Sequence, residues 1–127
     1  MRILNLTERK PGKGLETVAL TKREEEALRT FVEKVRQSLG ENLVRIILFG
    51  SKARGAAKRG SDIDLLVIVR ERGIESSHEI YKAASRTDLR WRVDISPKIY
   101  SIDEYERQRE IGIPFIKEME RDGVRLI

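Results

Sequence analysis

The sequence predicts an α/β (α+β) domain, a small mixed β-sheet flanked by helices, in the order helix, strand, helix, strand, helix, strand and closing helices. Three observations predict it. Two apolar runs, residues 43–49 and 62–69, are too short for helices and too continuous for strands with a wet face. A third run, residues 91–100, alternates apolar and polar side chains with the period of a strand. Around them lie longer segments with helical periodicity and capping residues at their ends. A chain of 127 residues has room for one core, so residues 1–20 read as an arm or hairpin and residues 21–127 as a single domain.

Residues 3–6 and 17–20 suit short strands around the turn cluster at 10–14, and a flexible arm suits them equally. Thr21 and Glu24 then form a capping-box pattern, in which each side chain satisfies the other's exposed backbone N–H. Leu28, Phe31, Val32, Val35 and Leu39 recur at helical spacing, and Gly40 stops the helix. Residues 43–49 follow as a buried strand. Gly50-Ser51 ends it and opens a short segment, residues 52–57, of helical propensity, followed by the basic loop Lys58-Arg59-Gly60. Residues 62–69 form the second strand. After a charged linker, residues 74–87 read as a helix with Ile80, Ala83 and Ala84 turned inward. In the third strand Trp91, Val93 and Ile95 share one face, and Arg92, Asp94 and Ser96 share the other. Ser101 and Glu104 repeat the capping box. Pro114 suits the first turn of a last helix that buries Phe115, Ile116 and Met119, and Gly123 stops it before a short extended tail.

Composition narrows the class. Apolar residues make up 39% of the chain, but no run approaches the ~20 that a membrane span needs. There is no cysteine, which excludes disulfides and thiolate metal sites and makes the cytoplasm the default location. Charged residues make up 37%, with a net charge of +5. That excess suits a protein handling triphosphates or nucleic acid, and it equally suits a solvated surface, because the basic residues are interleaved with Glu. His78 is the lone histidine and reads as a surface residue.

Residues 50–64 carry the chemistry. Nucleotidyl transfer requires a backbone that approaches a triphosphate closely, and cations that bridge carboxylates and phosphates. Gly50 removes a Cβ from such an approach. Ser51 offers a hydroxyl and an N–H at a helix start, where the dipole favours anions. Asp62 and Asp64, at i and i+2 of a strand, share a face about 6.6 Å apart. Their mutual repulsion, and the poor strand propensity of Asp, imply a compensating gain such as bound Mg²⁺. A P-loop is excluded, because Gly50 and Gly55 have its glycine spacing but Ala56-Ala57 follow where Lys and Ser or Thr belong.

Leu48-Phe49-Gly50-Ser51-Lys52-Ala53-Arg54-Gly55, then Gly60-Ser61-Asp62-Ile63-Asp64-Leu65-Leu66, resembles the signature of the DNA polymerase β-like nucleotidyltransferase superfamily. The ten residues between Ser51 and Asp62 match the minimal nucleotidyltransferases, the antitoxin partners of HEPN-domain toxins. The resemblance spans about residues 21–127. It implies a nucleotidyltransferase fold with an α-β-α-β-α-β core, triphosphate contacts from Gly50 and Ser51, and Mg²⁺ ligation by Asp62 and Asp64. It also implies a third carboxylate on the third strand that ligates metal and acts as base. Asp94 fits that place, on the face opposite Trp91, Val93 and Ile95. Asp88 competes with it, but lies at a helix–strand turn where Asp is common for local reasons. Arg54 and Lys58 are candidate nucleotide contacts, as is Lys52, although a short helix turns at least one of Lys52 and Arg54 away.

The implied activity is Mg²⁺-dependent transfer of AMP from ATP, with two ions, to a tyrosine of a HEPN toxin, in an oligomeric complex. Two alternatives stay open: an antitoxin acting by binding alone, and transfer to RNA or a small molecule.

Overall fold

The computed structural model describes residues 19–55 and 61–127. The arm or hairpin expected over residues 1–18 and the basic loop with Lys58 lie outside the described residues. Helix α1 (Lys22–Leu39) opens on the capping box its sequence encodes. Thr21 Oγ1 accepts from Glu24 N at 3.1 Å, and Glu24 Oε1 accepts from Thr21 N at 2.9 Å. The helix ends at Gly40. There follow β1 (Leu43–Phe49), α2 (Gly50–Arg54), β2 (Ile63–Val69), α3 (Ile74–Trp91), β3 (Ile95–Ser101), α4 (Ile102–Ile111), α5 (Pro114–Asp122) and β4 (Val124–Arg125).

The strands form one mixed sheet in the order β3-β2-β1-β4. β1 is antiparallel to β2 and β4, and β2 is parallel to β3. The central strands are covered on both faces, which is why their sequences are continuously apolar. On one face Ile46, Leu48, Leu65 and Val67 pack with Phe31 and Val32 of α1 and Ile80 and Ala84 of α3. On the other face Ile47, Phe49, Leu66 and Ile68 meet Tyr105 of α4 and Ile116 and Met119 of α5. Phe115 is half-buried on this side, edge-on to Phe49 with ring centroids 5.4 Å apart. Each fully buried large aliphatic side chain here contributes about 1.5–3 kcal/mol. No helix among the described residues is long and apolar enough to cross a membrane.

The third strand begins later than its alternation suggests. Helix α3 runs on to Trp91, and Arg92 caps it in the left-handed region at φ 55°. One bond from beyond the helix holds the extra turn: Asp88 Oδ1 accepts from Ile95 N. Trp91 is therefore the last residue of a helix, half-buried, with the Arg90 guanidinium 5.3 Å from its ring centroid. Arg92 is an exposed cap and not a strand neighbour of Asp94. The short helix after β1 also starts earlier than expected, at Gly50, and stops at Gly55.

Candidate active site

Strand register brings the predicted residues to one end of the sheet. The antiparallel pairing sets Phe49 opposite Asp64, and the parallel pairing sets Ile63 beside Ile95 and Asp64 beside Ser96. The end of β1 therefore meets the beginnings of β2 and β3, where Gly50, Ser51, Asp62, Asp64 and Asp94 lie. Asp94 stands just before β3, its carbonyl accepting from Ile63 N at 2.8 Å. The next amide, Ile95 N, donates to Asp88 Oδ1 at 2.9 Å. Asp88 thus serves the local architecture, and the same bond anchors the segment carrying Asp94.

Gly50 has φ +75°, and a Cβ there would fall inside van der Waals contact of Asp64 Oδ2 and 3.2 Å from its Cγ. The sequence suggests a glycine cleared for phosphate. The structure adds that Gly50 is also cleared for Asp64.

The carboxylates share one field. Burial first, and then the charge of Asp62, hold the Asp64 carboxyl above the usual range, with Asp94 adding to the effect and Lys98 and Arg54 opposing it. Asp94 is raised chiefly by its side-chain hydrogen bond to Asp62, then by burial and the Asp62 charge.

The cations divide by role. Lys52 does not face this end. It is 3% exposed, and its Nζ lies 2.8 Å from Glu24 Oε2. Burial pushes Glu24 up, but the Lys52 hydrogen bond and charge and the Thr21 bonds outweigh it and hold the carboxyl below its ordinary value. Because Lys52 O also accepts from Ala19 N at 2.7 Å, the turn after β1 is braced against the start of α1. Arg54 pairs with Glu118 of α5 at 3.1 Å while its charge acts on Asp64.

Sequence reasoning overlooked Lys98. It is exposed on β3, and its charge lowers Asp64. Continuing the alternation Asp94, Ser96 by one step would have found it.

These donors fit a hard divalent cation. Carboxylate oxygens are the ligands Mg²⁺ prefers, and a cation among them would offset the burial and the neighbouring charge that raise Asp64 and the Asp62 contact that raises Asp94. The buried Ser61 Oγ beside Asp62 has no hydrogen-bond partner among the described residues, an unmet polar group at the same end. Among the described residues no group of three or more His, Cys, Asp or Glu side chains is placed to hold a metal ion.

A mixed four-stranded sheet between two helical layers, with a Gly-Ser turn facing an Asp-x-Asp pair, defines a nucleotidyltransferase. The chain belongs to the nucleotidyltransferase domain family, whose model matches residues 28–124. It is 36% identical over 102 residues to MJ0141 of Methanocaldococcus jannaschii, provisionally named a protein adenylyltransferase, covering 80% of this chain and 96% of that one. MJ1305 of the same organism, with the same provisional name, is 40% identical over 70 residues, 53% of this chain and 48% of that one. Among solved structures, a chain of a toxin–antitoxin with AMP-PNP superposes with TM-score 0.54 at 20% identity, covering 76% of this chain and 70% of that one. A mutant of the MntA-HpeT toxin–antitoxin gives 0.51 at 18%, covering 76% and 69%. These structures share the fold.

Proposed function

We propose that this nucleotidyltransferase moves AMP from ATP to a tyrosine hydroxyl of a partner HEPN toxin, with Mg²⁺, and so acts as its antitoxin. The observation that carries the reading is the meeting of the Gly50-Ser51 turn with Asp62, Asp64 and Asp94 at one sheet end. The names of the relatives, protein adenylyltransferases and toxin–antitoxin chains, support the choice of acceptor.

Gly50 and Ser51 hold the triphosphate, with Arg54 and Lys98 as nearby positive charge and Lys58 as a further candidate contact. Asp62, Asp64 and Asp94 would hold Mg²⁺, which when bound offsets the charge of the triphosphate and of the departing pyrophosphate. The phenolic oxygen forms a bond to the α-phosphorus, the bond from that phosphorus to the bridging oxygen breaks, and pyrophosphate leaves with its electron pair. Asp94, exposed and with a raised pKa, accepts the phenolic proton.

The test is incubation with α-labelled ATP, Mg²⁺ and the product of the neighbouring gene. Label on the partner with the wild type, and its loss with Asp64→Asn, are expected. Absent label, or undiminished label with Asp64→Asn, refutes transfer. If Asp62→Asn and Asp64→Asn still neutralise the toxin in cells, the protein acts by binding alone.

A further inference from the structure

Helices α1 and α3 bury one face each against the sheet, and on their outer side a groove of about 370 Å³ runs between them. Lys34 of α1 and Lys82, Arg86 and Arg90 of α3 line it, with Thr30 and Gln37 among them. All four cations are exposed, and Glu79 is the single acidic residue in the lining. On other helix faces several basic side chains are neutralised, as in Arg29–Glu26, Arg36–Glu33 and Arg109–Glu106. Among the described residues Lys34, Lys82 and Arg86 have no ion pair, and Arg90 rests against Trp91.

We propose that this groove binds single-stranded RNA. Lys82, Arg86 and Arg90 recur once per helical turn, about 6 Å apart along the axis. That row suits the successive phosphates of an extended strand. Thr30 and Gln37 supply neutral donors and acceptors beside the cations, the groups that meet a 2′-hydroxyl. What distinguishes this lining is its charge, four cations against one carboxylate, and nucleic-acid interfaces are likewise cationic. The proposal is independent of the transfer reaction, because none of these residues lies among those gathered at the sheet end.

Fluorescence anisotropy of the full chain with a labelled oligouridylate, between about 50 and 200 mM salt, tests it. With four phosphate contacts the logarithm of affinity falls against the logarithm of salt with a slope of about −2.8, and Lys82→Gln with Arg86→Gln halves it to about −1.4. That double variant binds at least about tenfold more weakly at low salt. Lys34→Gln with Arg90→Gln behaves alike, which covers a folding failure in either pair. Arg107→Gln with Lys117→Gln, an equal charge change on α4 and α5, leaves binding intact. No binding at the lowest salt, or an equal loss in the Arg107/Lys117 control, overturns the site. Equally tight binding of the matching DNA overturns the choice of RNA, and displacement by polyglutamate at equal charge assigns the groove to an acidic protein.

Discussion

Gly50→Ala tests whether the phosphate turn and the carboxylates form one object. The new methyl meets two penalties. An alanine at φ +75° costs about 1–2 kcal/mol through contact with its own carbonyl. In addition its Cβ overlaps Asp64 Oδ2 and sits 3.2 Å from Cγ, so the Asp64 side chain must turn away from its place. Displacing by about 1 Å a carboxylate proposed to hold Mg²⁺ is expected to cost on the order of 100-fold in transfer rate. Transfer of α-label measures the second effect, and thermal melting measures the two together. The two are separable in an Asp64→Ala background, where the carboxylate is gone and Gly50→Ala should cost only the backbone part. A rate within about twofold of wild type, or the same stability loss in both backgrounds, refutes the steric coupling.

Two further expectations follow from the charges. Lys52→Met strands the buried Glu24 and should destabilise the fold by about 3–5 kcal/mol, with part recovered on adding Glu24→Gln, measured by urea unfolding. Because the Glu24 pKa is lowered on folding, its contribution is present above its ordinary value of 4.5 and is lost as pH falls through the lowered value, so Glu24→Gln should flatten the acid limb of stability. Asp64 is the reverse case. Its raised pKa means that its ionised form weighs against the fold at neutral pH, so Asp64→Asn should melt higher than wild type in chelator while losing transfer. A lower melting temperature contradicts that reading.

Most of the fold is legible in the sequence because its signals are local. Capping boxes at Thr21 and Ser101, Pro114 at a first turn and stops at Gly40 and Gly123 each act within a few residues, and the structure has them all. Asp94 was reached through the alternation of residues 91–95, yet Trp91 belongs to a helix. The bond between Asp88 and the Ile95 amide extends α3, and a pattern within one strand carries no sign of it. The expectation that at least one of Lys52 and Arg54 turns away is met by Lys52. A lysine beside a phosphate turn suggests an anion contact, and only the arrival of Glu24 from α1, 28 residues away, assigns it inward. Lys98 needed one more step of an alternation already in hand.

Both edges of the sheet are blunted. β4 offers only Val124 and Arg125, too short a template for another strand. At the other edge β3 carries Pro97, which has no N–H to give, and the exposed charge of Lys98. Among the described residues neither edge offers a long, regular template to a second copy or to an incoming extended peptide. A partner must meet this protein through side chains at the strand ends or on the helices, and the cation beside Asp64 also guards the molecule against aggregation.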